Sequence, residues 1–182
     1  MINKPATVQH QEIRHKELVR HLFVDGGLNA YAVLDGASNP ALLDHLYDGV
    51  RPEFACLYRG ELEPDMAECA PYLASLEPDS PFARWVIDTG FGKHWGIFVQ
   101  SRAGLPELLQ HFRKHNMVYD EENQPIFFRY YDPRVMCVFF AIGDAEQLAE
   151  FFGPVEAFFA EAEDGENFLR FDLSTGPTEG GA

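Results

Sequence analysis

Ile126–Val138 reads I-F-F-R-Y-Y-D-P-R-V-M-C-V, three charges inside an otherwise apolar run. A run this apolar belongs in a core, where charge is tolerated only when paired and hydrogen-bonded. Asp132 stands between Arg129 and Arg134, so a local Arg129–Asp132–Arg134 cluster is the simplest solution. Breaking such a buried cluster at Asp132 would cost about 3–5 kcal/mol. Pro133 stops a strand and can open a helix at its first position, with Asp132 as N-cap. The stretch therefore predicts a strand over 126–130, a capped turn and a helix over 133–142.

Downstream, Asp144 and Gln147 form a capping box that opens a helix over 144–152. Residues 155–162 and 167–173 flank E-D-G-E, a hairpin signal because Asp-Gly accepts the positive φ of the turn. Upstream, short apolar runs at 29–34, 54–58, 72–76 and 95–100 read as strands. Helices are expected over 81–88, 105–117 and from Asn39-Pro40 to about Gly49. Residues 61–71, polar and carrying Pro64, read as a loop. Ile13, Leu18, Val19, Leu22 and Phe23 recur at helical steps, which predicts an amphipathic helix over 9–23. The expected class is α/β (α+β): a mixed β-sheet flanked by helices, with a C-terminal β-hairpin. Residues 1–24 form an N-terminal helical segment, 25–173 a single domain, and 174–182, S-T-G-P-T-E-G-G-A, a disordered tail.

At 182 residues, with 46% hydrophobic content and 16 Phe, the chain has the material for one aromatic core. Cys56, Cys69 and Cys137 are far apart and odd in number, so buried free thiols in a reducing compartment are expected. The net charge of −15 disfavours nucleic acid, whose binding needs clustered Lys and Arg. Acid crowds the C-terminal part, where Glu156, Glu161, Glu163, Asp164 and Glu166 read as a solvated face able to steer a basic partner. The N-terminus lacks a signal-peptide core, and no apolar run spans a bilayer, which predicts a cytoplasmic protein without membrane partners.

Chemistry-bearing patterns are sparse. His111 and His115 share one helical face, but Phe112, Arg113 and Lys114 between them supply no general base and oppose a dication, so no metal site is expected. Asp35-Gly36 at a strand end reads as a turn. No serine stands in a nucleophile elbow, and Gly90-Phe91-Gly92 is followed by Lys93 rather than a dinucleotide fingerprint, so neither a catalytic residue nor a cofactor is expected. Trp85 and Trp95 read as core residues; an exposed Trp95 would be an interface anchor. Arg129 or Arg134 could offer a guanidinium to a partner's carboxylate or carbonyl.

Six blocks then carry a resemblance: Y-A-V-L-D-G-A (31–37), A-C-L-Y (55–58), A-P-Y-L (70–73), W-G-I-F-V (95–99), F-R-Y-Y-D-P-R-V (128–135) and F-F-G-P-V (151–155). In this order they resemble the adaptor/chaperone family of bacterial type VI secretion, first catalogued as a domain of unknown function. The resemblance implies a non-enzymatic protein that binds the N-terminal segment of a toxic effector and assists its loading onto the VgrG spike. Relatives often carry a longer C-terminal lobe; here selectivity would rest with the core or the acidic hairpin. A small-molecule hydrolase or ligand-binding enzyme using Asp35, His94 or His111 is the alternative from a different class.

Overall fold

A computed structural model describes residues 7–23, 27–49, 51–120 and 122–174. Strand β1 (Thr7–Arg14) runs straight into α1 (His15–Phe23), and β2 (Asn29–Asp35) ends in a 3-10 turn at Gly36–Ser38. There follow α2 (Leu42–Tyr47), β3 (Phe54–Cys56), α3 (Pro64–Cys69), β4 (Pro71–Leu76), α4 (Pro81–Gly90), β5 (Gly96–Ser101) and α5 (Leu105–His115). A small ribbon, β6 (Met117–Tyr119) with β7 (Pro125–Phe127), precedes α6 (Pro133–Ile142), α7 (Ala145–Phe152) and the hairpin β8 (Val155–Glu161) and β9 (Asn167–Ser174).

Seven strands form one sheet in the order β1-β9-β8-β5-β2-β4-β3, and the fold is α+β with helices on both faces. Where a mixed sheet was expected, every ladder described is antiparallel. The reason is topological. Strands β4 and β5, joined by α4, run parallel to each other, but β2 lies between them and opposes both.

Strand alternation distributes the core. Ala30, Ala32 and Leu34 face Leu18 and Leu22 of α1, Leu42 and Leu46 of α2, and Phe82, Val86 and Ile87 of α4. Tyr31 and Val33 face the opposite layer, with Leu108 and Phe112 of α5, Met136 and Phe140 of α6, and Leu148, Phe151 and Phe152 of α7. This second layer is an aromatic lattice: Phe151 stacks on Phe158 at 5.2 Å and Phe140 meets Phe171 at 4.6 Å. Each fully buried phenylalanine contributes about 2–3 kcal/mol of transfer energy.

Four expectations are corrected. The helix over 9–23 begins only at His15; residues 7–14 are drawn out as β1 by β9 (paired from Thr7 against Ser174 to Arg14 against Asn167), so Ile13 enters the core from a strand. The N-terminal segment is thus part of the sheet and its core, not an appendage. Residues 61–71 contain α3, because Pro64 occupies the first helical position, where its missing N–H costs nothing. The strand over 126–130 shrinks to β7 in the separate ribbon, since the Phe128 N–H bonds Asn116 C=O while Tyr130 and Tyr131 turn into the core. Helix α2 starts at Leu42 rather than at Pro40, after the 3-10 turn.

The cysteines are free, but Cys69 is exposed, because α3 buries none of its residues. Burial raises the Cys137 thiol to about 11. Among the described residues no helix is long and apolar enough to cross a membrane. Residues 175–182 of the expected tail lie outside the described residues.

Candidate functional site

The expected three-residue ion cluster divides into two pairs. Asp132 caps α6: its Oδ1 accepts from Arg134 N at 3.0 Å and Nε at 2.9 Å, and its Oδ2 accepts from Nη2 at 2.6 Å. Burial opposes ionisation of this carboxyl, but the Arg134 bonds outweigh it and hold the group below its ordinary range. Arg129 turns the other way and donates from Nη2 to Asp35 Oδ2 at 2.5 Å. The divergence follows from the turn that the Asp132 N–H closes on Arg129 C=O, which directs Arg129 to the end of β2. Asp35 is fully buried and also accepts from Ser38 Oγ at 2.7 Å and Ala37 N at 3.1 Å. It is the expected turn former, with a cation as well.

Beyond its cap, α6 is apolar on both sides. Met136 and Phe140 point into the core. Val135, Val138, Phe139 and Ile142, at helical steps of three, four and seven, line the other side. Val138 is 58% and Ile142 78% exposed. With Phe128 and Arg134 these residues border an open groove of about 430 Å³. The ribbon that leads into Phe128 carries four further exposed apolar residues, Val118, Tyr119, Ile126 and Phe127. Sequence reasoning missed this surface, because a helix without a polar stripe reads as wholly buried. The available signal was the absence of any charge after Arg134 on a helix only ten residues long.

Several residues nominated as partner-binding lie elsewhere. Trp95 is 9% exposed and so is not an interface anchor; it packs 5.0 Å from Trp85 over Gly90, whose missing side chain leaves room for the indole. Glu161 is likewise not a hairpin-tip charge. It is buried at the end of β8, where its carboxylate accepts from Gly92 N at 3.1 Å and His94 N at 3.2 Å. His94, at φ 55°, brings Nδ1 within 2.9 Å of Oε2 but off the hydrogen-bond axis, an electrostatic contact. Burial raises the Glu161 carboxyl, and His94 with the two N–H groups partly offsets this. Glu156 caps Arg102 N at 3.1 Å. Glu163 and Asp164 are exposed, but Asp164 is engaged in its own turn with Glu166 N and Asn167 N.

The histidine pair packs inward, His115 meeting Phe151 at 5.1 Å between ring centroids. His111 is 8% exposed, its Nε2 lies 2.8 Å from Phe151 O, and burial lowers its pKa. Burial, then His111 and Lys114, lower His115 to about 4. Beside Glu161 the cavity measures about 10 Å³, no more than a water would need. Among the described residues no His, Cys, Asp and Glu group is arranged to hold a metal.

The six sequence blocks prove to be one knot. Asp35 N bonds Trp95 O at 2.8 Å, Gly36 N bonds Ala70 O at 3.0 Å, and Leu57 N bonds Pro71 O at 2.9 Å. Gly36 lies against the Glu68 and Ala70 carbonyls, where a Cβ has no space. The Arg129–Asp35 pair ties the fifth block to the first, and Tyr130 of the fifth meets Phe151 of the sixth with ring centroids 5.4 Å apart. No curated protein and no solved structure matches the chain. The family described as a domain of unknown function, DUF4123, matches residues 30–150, most of this knot and well over half of the sequence. The chain therefore belongs to the DUF4123 family.

Proposed function

We propose that this protein is a non-enzymatic adaptor that binds an effector of type VI secretion and assists its loading onto the VgrG spike from the cytoplasm. One observation carries the reading: the outer side of α6, with Val138 and Ile142 largely exposed beside a groove lined by Phe128, Val135 and Phe139. Apolar surface of this kind on a charged protein marks a site of protein association. A helical or extended apolar segment of the effector would cover it, as amphipathic segments do in apolar grooves. Arg134 at the rim would set the register of a carboxylate on that segment.

The enzyme alternative draws less support. Asp35 is held by Arg129, Ser38 and Ala37, His111 is engaged with Phe151 O, and the cavity beside Glu161 is too small for a substrate. Co-expression with the toxin encoded in the neighbouring gene is the test. A stoichiometric complex should survive gel filtration, and Val138→Asp with Ile142→Asp should abolish it without lowering Tm. A toxin equally soluble and equally secreted without this protein would sink the reading.

A further inference from the structure

The sheet ends in two unlike edges. β3 is three residues long, too short to template another strand. β1 is eight residues long, T-V-Q-H-Q-E-I-R, with no proline and no bulge in its ladder to β9, and its charges, Glu12 and Arg14, are of opposite sign. Long edges are ordinarily blunted by proline, by bulges or by charged side chains.

The register fixes which backbone groups face outward. The His15 N–H bonds Glu166 C=O, and on the far side of β9 the Ala162 N–H bonds Asn167 C=O. Hydrogen-bonded pairs alternate along an antiparallel ladder. Both bonds therefore assign Gln9, Gln11 and Ile13 to pairing with β9. Val8, His10, Glu12 and Arg14 direct their N–H and C=O groups away from it. Among the described residues nothing bonds to those outward groups.

We propose that β1 pairs antiparallel with β1 of a second copy of this chain, joining two seven-stranded sheets across a two-fold axis at Gln11. The axis must stand perpendicular to the sheet, so only registers that oppose even-numbered residues meet the outward groups. Of these, the register centred on Gln11 uses all four outward residues: Val8 opposite Arg14 of the partner subunit, and His10 opposite Glu12 of the partner subunit. By symmetry the His–Glu pair forms twice, and opposite-charge or hydrogen-bonded cross-strand pairs stabilise a ladder. The register centred on His10 would oppose two identical imidazoles and use fewer outward groups. His10, Gln11, Glu12 and Arg14 are exposed in the single chain; Glu12 Oε1 accepts from Asn167 Nδ2 at 2.6 Å, which leaves Oε2 for His10 of the partner subunit. Pairing through one strand buries less than the ~1,200 Å² of a durable complex, so the association is a concentration-dependent equilibrium. It is independent of the α6 surface and of the adaptor reading.

Sedimentation of the full chain between about 5 and 500 μM tests it, with the 20.6 kDa monomer mass expected to double across the series. His10→Pro removes an outward N–H and none that serves β9, and should hold the mass at the monomer value. Should that variant fail to fold, His10→Glu opposes Glu12 on both sides of the axis and should weaken association about tenfold or more. Adding Glu12→Lys to His10→Glu should restore it. A chain that stays monomeric at the highest concentration overturns the proposal, as do variants that associate like wild type. A monomeric wild type whose complex with the toxin is weakened by His10→Pro would also overturn it, in favour of strand donation by that partner.

Discussion

Asp35–Arg129 and Asp132–Arg134 are built from the same chemistry and do different work. In each, a buried carboxylate meets a guanidinium that keeps contact with water, the side chains being 2% and 47% exposed in the first pair and 7% and 64% in the second. The second pair spans two positions and finishes the cap of one helix. The first spans 94 positions, and its carboxylate also holds the 3-10 turn that closes β2. An ion pair matters to a fold by what its loss disconnects, more than by its own Coulomb energy, which solvent screens in both cases.

Asp35→Ala should therefore be the most damaging change. It removes the acceptor for Ser38, Ala37 N and Arg129 together, which unties the 3-10 turn and the long-range ion pair at once. Because Arg129 can hydrate, the cost should fall below that of a fully buried pair, at about 2–4 kcal/mol. Urea unfolding measures it. A double-mutant cycle with Arg129→Ala isolates the pair, and its coupling should exceed that of Asp132 with Arg134. Equal couplings would erase the contrast between the two pairs.

The short-range pair was legible in the sequence and the long-range one was not, and this difference runs through the molecule. Asp132 with Pro133, Asp144 with Gln147, and Asp164-Gly165 all act within a few residues of themselves, and all three hold in the structure. Asp35 read as a turn former, which it is, but nothing near it in sequence names Arg129. Strand β1 was hidden for the same reason. Its partner β9 lies at the other end of the chain, and Ile13 was grouped with Leu18 and Leu22 although it stands five and nine positions before them, off their helical face. Pro64 read as a breaker because its position within the helix depends on where that helix starts. The candidate site failed differently: Val138 and Ile142 are apolar, so burial was the default, and only packing shows that α6 has more apolar surface than the core can take.

Asp132→Ala should cost about 1–2 kcal/mol at pH 7, the worth of an N-cap together with a half-hydrated pair, less than a buried three-residue cluster would lose. The sign of its pH dependence follows from the lowered carboxyl. A depressed folded-state pKa contributes stability that is complete above the ordinary value of 3.8 and is lost as pH falls through the folded value. The gap between variant and wild type should thus be full at neutral pH and narrow below pH 3.8. A gap that widens in acid would mean that the Asp132 carboxyl is raised rather than lowered.

Arg134→Ala should have the smallest effect on the fold. Its guanidinium is mostly in water, and an ion pair with one exposed partner is worth about 0–1 kcal/mol. The helix cap survives the change, because the bond from the backbone N–H at position 134 to Asp132 Oδ1 does not need the side chain. Water admitted where the guanidinium lay would solvate the carboxylate it leaves. Unfolding should therefore shift by no more than about 1 kcal/mol, while the charge at the rim of the α6 groove disappears. A loss above about 2 kcal/mol would mean that Arg134 shields Asp132 from solvent as Arg129 completes Asp35, and the two pairs would then differ in span alone.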